Sequence, residues 1–344
     1  MRHVFAFLIT GLLSMALAAS TTINGAGSTF AAPLYSKLFE EYAKTGKGQA
    51  SYESVGSGAG ITRILERSVD FGASDSFVTD ERLREAPAKL LHIPVALGAV
   101  AVIYNLELKS PLKLDGPTIA NVFLGKITNW NDPAIAALNP GVTLPNLPVT
   151  VVHRAGGSGT TAIFVDFLGK TSKPWADTIS SGPKQTVAWP VGLPAQGNDI
   201  LAGLVKRTPG TIGYSEFATA VFNKVEYALV KNASGQFEPP NTKTISRAAA
   251  QMRLPADTRI GLTNAGGDAY PISGFTWALA YQDQRYSGRT LEQGKALADL
   301  LWWIMHEGQA LIEPLGYAGL PQTAVARAET IIRSMRYGAV KFRP

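Results

Sequence analysis

Thr22-Ile23-Asn24-Gly25-Ala26-Gly27-Ser28-Thr29-Phe30 is the stretch from which the fold is read. Its first three residues suit a short extended strand, the next six are almost all small, and Leu34, Leu38 and Tyr42 then recur at helical spacing up to Gly46. The same order returns twice. Tyr52 to Val55 reads as a strand, and Gly56-Ser57-Gly58-Ala59-Gly60 leads into Ile61, Ile64 and Leu65 on one helical face. Val149 to Val152 is a β-branched run after Pro148; Gly156-Gly157-Ser158-Gly159-Thr160-Thr161 follows, then a helix burying Ile163, Phe164, Phe167 and Leu168 and expected to close at Gly169. Strand, small-residue loop and helix in alternation predict α/β domains.

Working outward, His92 to Tyr104 is a long apolar run, expected to be a buried strand that carries the chain from one domain to the other. Pro111 to Pro148, rich in Pro, Asn and Asp, reads as short helices joined by turns. Leu297, Leu300, Leu301 and Ile304 mark an amphipathic helix, and a final helix is expected over Val325 to Met335. At 344 residues the chain suits two domains. The basic start Arg2-His3, the apolar run Val4 to Leu17 and the small residues to Ala19 predict a secretory leader, 1–18, cleaved near Ala18. About 14 apolar residues are too few for a bilayer span, which needs roughly 20. With no cysteine, disulfides contribute nothing and no thiol is present for lipid attachment, so the expectation is a free exported protein held in a periplasm.

The net charge of +6 suits anionic partners. Lys and Arg are not gathered into a stripe interleaved with aromatics, so no nucleic-acid partner is expected. The three loops point to small anions. The first amides of a helix lack internal partners and sit at the positive end of its dipole; glycine permits close approach there and hydroxyls add donors. One such loop by itself reads as ordinary helix capping; three together offer the many donors that a tetrahedral oxyanion needs. Enzyme patterns fail on the same residues. Phe30 and Ile61 stand where a third glycine would complete G-x-G-x-x-G, no phosphate-loop lysine follows, and Ser158 lacks the second glycine of G-x-S-x-G. His92, His153 and His306 have no metal-ligand spacing, so neither metal nor cofactor is expected. Arg154 precedes the third loop and offers a bidentate fork. Asp75, in Asp70-Phe71-Gly72-Ala73-Ser74-Asp75, reads by itself as a turn or cap residue; beside an anion site it would accept the hydrogen that phosphate retains near neutral pH and repel sulfate.

Gly25-Ala26-Gly27-Ser28-Thr29-Phe30, Asp70 to Asp75, and Arg154-Ala155-Gly156-Gly157-Ser158-Gly159-Thr160 resemble the periplasmic phosphate-binding proteins of phosphate ABC transporters. The likeness continues in order through Leu124-Gly125-Lys126-Ile127, Trp189-Pro190-Val191-Gly192-Leu193, Gly197-Asn198-Asp199 and Gly213-Tyr214. The resemblance implies a two-lobed periplasmic-binding-protein fold, each lobe a mixed sheet flanked by helices, with two hinge crossovers. One lobe would comprise 19–95 plus 270–344 and the other 96–269. It implies phosphate held by the amides of Thr29 and Phe30 and the Thr29 hydroxyl, by Ser57, Asp75 and Arg154, and by Ser158, Gly159 and Thr160. It also implies a monomer that delivers the ion to an inner-membrane ABC permease and performs no chemistry on it. The family commonly carries an acid two positions after the arginine; here that position is Gly156, which leaves Arg154 to find another acid or to bind an anion with less competition. His153 has no expected role beyond its strand. The readings left beside this one are an exported phosphatase, an adhesion protein on the same fold, and a carrier of sulfate or molybdate.

Overall fold

The structure is a computed structural model that describes residues 21–344; the expected leader, 1–18, lies outside the described residues. Thr22–Gly27 (β1) pairs in parallel with Gln49–Ser54 (β2) and with Phe71–Ser74 (β3). Gly25-Ala26-Gly27 therefore belongs to the strand, not to the loop that its composition suggests. The glycines serve close packing. A methyl on Gly25 would lie 2.0 Å from the Phe71 ring, and one on Gly27 would lie 2.1 Å from the Ala73 carbonyl oxygen. Only Ser28 to Ala31 turn the chain into Ala32–Lys44 (α1), which carries Pro33 in its first turn and buries Leu34, Tyr35, Leu38, Phe39 and Tyr42.

The second small-residue segment is likewise mostly regular structure, because the helix Ser57–Leu65 (α2) begins inside it. The third opens Gly159–Thr171 (α3), which runs two residues past the stop expected at Gly169. There glycine allows contact with another backbone: a methyl would sit 2.7 Å from the Ser180 carbonyl oxygen. The last helix, Gln322–Arg333, begins three residues before the expected Val325 and ends two before Met335. Leu291–Met305 buries Leu297, Leu300, Leu301 and Ile304 as its pattern requires, and Gly116–Phe123 and Pro133–Leu138 are the short helices of the Pro- and Asn-rich segment.

Leu90–Tyr104 (β4) has 15 residues, all buried, and is the spine of the molecule. At about 3.3 Å per residue it spans roughly 50 Å, long enough to serve two sheets end to end. Thr150–Arg154 (β5), Leu193–Ala195 (β6) and Thr211–Glu216 (β7) belong to the half built on its C-terminal part; Ser273–Tyr281 (β8) belongs to the other. From Leu90 to Ala99 β4 pairs antiparallel with β8, and from Val100 to Tyr104 antiparallel with β7. The strand order is β2-β1-β3-β8-β4-β7-β5-β6, one curled mixed sheet of two half-sheets, with the short strand Glu226–Tyr227 also on β4. Each half-sheet with its helices forms a lobe. Within each, the loops at the carboxyl ends of the parallel strands β1, β3 and β5 face the cleft, the position at which open α/β sheets bind ligands. Among the described residues, no helix is long and apolar enough to cross a membrane.

Gly60 tests how tightly α2 is seated. A methyl there would lie 2.6 Å from Gly27 Cα and 2.8 Å from the carbonyl oxygens of Ala26 and Ala73, all backbone atoms that cannot swing aside. Gly60→Ala is expected to destabilise the protein by about 2 kcal/mol or more despite the better helix propensity of alanine; urea unfolding followed by circular dichroism measures it.

Candidate anion-binding site

The three helix starts meet across the cleft. Ser28, at the end of β1, donates its hydroxyl to the Asp75 carboxylate at 2.6 Å, and Ser57, first residue of α2, donates to Asp75 Oδ2 at 3.2 Å. From the opposite lobe Gly159, first residue of α3, comes so close that a methyl on it would stand 2.5 Å from Ser57 Oγ and 2.7 Å from Asp75 Oδ2. Glycine is required by that approach. Thr29 lies near the start of the helix Gly197–Arg207 (α4); a methyl on Gly197 would be 3.6 Å from its Cγ2.

Asp75 is 2% exposed. Thr276, on β8, supplies a third hydroxyl, donating to Oδ1 at 2.9 Å. An ionised carboxylate offers about four lone-pair sites; Ser28 shares its one hydrogen between the two oxygens, so the three hydroxyls supply three hydrogens and leave the carboxylate able to accept one more. Burial pushes this carboxyl up to about 6, against the opposing pull of the Ser28, Thr276 and Ser57 hydroxyls and of the Arg154 charge. The loop before α1 is fixed from outside: Tyr52 donates to the Ser28 carbonyl at 2.7 Å, and Tyr317 donates to the Phe30 carbonyl at 2.5 Å.

Donors surround that one acceptor. Among the described residues, the amide N–H groups of Thr29, Phe30, Ser57, Gly159 and Thr160 donate to no protein acceptor, and the Thr29 hydroxyl is buried without a partner. Arg154 ends β5, 4% exposed, with Nε buried and unpartnered. Its Nη1 donates to Asn198 Oδ1 at 3.0 Å and approaches Thr160 Oγ1 at 3.4 Å. Its amide donates to the Tyr214 hydroxyl at 3.1 Å, and that hydroxyl also bonds Thr161 Oγ1 at 2.7 Å. Desolvation disfavours the charged guanidinium, while Tyr214 and Asp75 act the other way. Ser158 is the N-cap of α3: its Oγ accepts from the Thr161 amide at 3.1 Å and its own amide donates to the Gln185 carbonyl, so only its hydroxyl hydrogen is left to give. His153 is stacked on Trp189 with ring centroids 5.0 Å apart, its Nδ1 3.2 Å from the Arg154 carbonyl oxygen. Gly156 has φ +70, a turn conformation that glycine favours, and open space where a Cβ would stand. Among the described residues, no three of His, Cys, Asp and Glu are placed to hold a metal ion.

The lobes touch through Gly58, whose amide donates to the Gly157 carbonyl at 3.0 Å, and through Gln185, whose Nε2 donates to Ser76 Oγ at 2.7 Å. All eight residues singled out in the sequence lie on the strand ends, loops and helix starts that border this cleft. Four partners were not singled out: Ser28, Thr276, Asn198 and Gln185. Ser28 lies in the quoted first loop. Thr276 carried one faint signal, a hydroxyl in the otherwise apolar run Phe275 to Tyr281.

Residues 16–306 match the family described as the PBP superfamily domain. Phosphate-binding protein PstS of Xylella fastidiosa (strain 9a5c) is 37% identical over 315 residues, covering 90% of this chain and 84% of that one. Its counterpart in Pasteurella multocida is 36% identical, covering 90% and 89%. The fold is shared with a high-affinity periplasmic phosphate-binding protein, PfluDING, solved with phosphate bound (TM-score 0.73, 23% identity, covering 94% and 100%). It is shared also with a phosphate-binding protein of Stenotrophomonas maltophilia (TM-score 0.72, 20% identity, covering 90% and 94%). The chain belongs to the PBP superfamily and, within it, to the PstS family of phosphate-binding proteins.

Because the folded carboxyl of Asp75 stands near 6, above its ordinary value of 3.8, the folded state holds more protons than the unfolded chain between those values. Its contribution to ligand-free stability therefore rises as pH falls through that window and is lost as pH rises past about 6. Asp75→Asn is expected to remove this part of the pH dependence; thermal unfolding of both proteins between pH 4 and 8 checks it.

Proposed function

We propose that this chain binds inorganic phosphate in the periplasm, between a lobe of 19–95 plus 270–344 and a lobe of 96–269, and delivers it to an ABC-type permease without chemical change. The observation that carries the reading is the single acceptor position on Asp75, set among unpaired amides and the Arg154 charge. A hydrogen phosphate ion has one hydrogen to donate and several oxygens to accept, which matches one acceptor among many donors. Sulfate has no hydrogen, so it would set its charge against an ionised carboxylate and leave that acceptor unmet; together these cost several kcal/mol. The relatives' names and the phosphate-bound neighbour support the same ion. In this reading Thr29, Phe30, Ser57, Arg154, Ser158, Gly159 and Thr160 are the donors and Asp75 the acceptor.

A carrier also accounts for the hydroxyls. Ser28, Ser57 and Thr276 give their hydrogens to a carboxylate already surrounded by donors, so Asp75 is poorly arranged to take a proton from a nucleophile. Export follows from the expected leader, and the partner is the permease of the same transporter.

Calorimetric titration of the protein, freed of endogenous ligand, is expected to show phosphate binding and no sulfate binding between pH 7 and 8. Equal binding of the two ions would remove Asp75 from its role, and hydrolysis of a chromogenic phosphate ester would favour an enzyme instead. Affinity for phosphate should weaken as pH falls below about 6, where Asp75 becomes protonated, and Asp75→Asn should narrow the gap between the ions. The Gln185–Ser76 bond joins the lobes only when they meet, so Gln185→Ala is expected to speed phosphate release roughly five- to tenfold with little change in association rate, about 1 kcal/mol for one neutral hydrogen bond; stopped-flow fluorescence separates the two rates.

A further inference from the structure

Arg154 is a buried cation with no carboxylate within 4 Å among the described residues. A guanidinium in that position is ordinarily paired. Its side-chain partner at normal hydrogen-bond length is a neutral amide, Asn198 Oδ1 at 3.0 Å. Asn198 is the second residue of α4, 1% exposed, with both ends of its amide engaged: Oδ1 accepts from Arg154, and Nδ2 donates to Thr160 Oγ1 at 3.2 Å.

These bonds have only one consistent polarity. Arginine can only donate, so the atom facing it is the amide oxygen, and the amide nitrogen faces Thr160. Thr160 Oγ1 then accepts from Asn198 and, at longer range, from Arg154 Nη1, which fills its two lone pairs. Its hydroxyl hydrogen must be given elsewhere. We infer that Asn198 is a positioning and specificity-determining residue, which turns Arg154 and Thr160 into donors toward the cleft while leaving the guanidinium charge uncancelled for a dianionic oxyanion. A carboxylate at this place would hold Arg154 equally well, but it would cancel its charge and offer no donor to Thr160.

This inference rests on the reading of the site as phosphate-binding. Asn198→Asp and Asn198→Ala separate its parts. The ionisable groups on elements packed against α4 are His153 and Arg154 on β5, Tyr214 and Glu216 on β7, and His92 and Tyr104 on β4; α4 itself adds Asp199, Lys206 and Arg207, and Asp75 acts on Arg154 across the cleft. Phosphate affinity of the wild type and both variants is measured by calorimetry from pH 5.5 to 8.5, with thermal unfolding of each variant as a check on folding. Asn198→Asp is expected to weaken phosphate roughly tenfold or more. Its added negative charge should also move the acidic limb of the affinity profile to higher pH, because it raises the Asp75 carboxyl further. Asn198→Ala should weaken binding while leaving that limb in place. If the wild type binds phosphate and Asn198→Asp matches it within about twofold across the range, the inference is overturned and the proposed function stands. Equal losses in the two variants with coincident limbs would also overturn it, reducing Asn198 to a packing role. A wild type that binds no phosphate overturns both. Should Asn198→Asp fail to fold, Asn198→Ser, which puts one hydroxyl in place of the amide and adds no charge, must still weaken binding without moving the limb, and wild-type affinity in it overturns the inference.

Discussion

Asp75 and Arg154 are opposite charges buried on the two sides of one cleft and kept from pairing. A direct ion pair would be the obvious way to lower the cost of burying both. Here each is instead held by neutral groups: Asp75 by the hydroxyls of Ser28, Ser57 and Thr276, Arg154 by the amide of Asn198 and the hydroxyl of Thr160. The cost of that separation shows in the upward displacement of the Asp75 carboxyl and the downward pull on the guanidinium, both caused first by desolvation. The bordering structure follows from this constraint. The hydroxyl-bearing residues must sit where strands end, the helices must begin beside them, and the glycines must let two backbones come within van der Waals reach.

The strand order meets that demand. β1 and β3 are neighbours, so Ser28 and Asp75 leave the sheet side by side, and β8 next to β3 brings in Thr276, 201 residues from Asp75 in sequence. β4 carries the chain into the second lobe without a break, its Leu90–Ala99 part bonded to β8 and its Val100–Tyr104 part to β7. The two halves of the site thus share one continuous, fully buried strand.

Local periodicity made the α/β alternation, the long strand and most helices legible in the sequence, since each is a pattern within about fifteen residues. The small-residue loops were legible as helix starts with free backbone donors because their chemistry is also local. Misreadings arose where a glycine's reason was tertiary. Gly25 and Gly27 look like a loop, yet they sit in a strand because Phe71 and Ala73 approach them; Gly169 looks like a helix stop, yet the helix continues because Ser180 lies against it. The partners that went unnoticed share the same feature. Thr276 and Gln185 meet the site only through pairing and lobe contact across long sequence separations, and Asn198 draws its role from the polarity of bonds that no linear pattern encodes.

That polarity shows how a neutral network can carry a charge preference. Arginine and the asparagine NH2 group are fixed donors, so a hydroxyl receiving from both is left with nothing but its own hydrogen to offer. On the facing lobe the logic is inverted: a carboxylate is a fixed acceptor, and the three hydroxyls aimed at it bring three hydrogens to about four lone pairs. One side of the cleft can therefore only give hydrogens, and the other retains a single place to receive one. An anion that keeps one hydrogen satisfies both sides, whereas water, which needs to give two, and a fully deprotonated anion, which has none, each leave a buried group unmatched. In the proposed reading, discrimination resides in the count of donors and acceptors that the helix starts and a buried carboxylate present to the cleft.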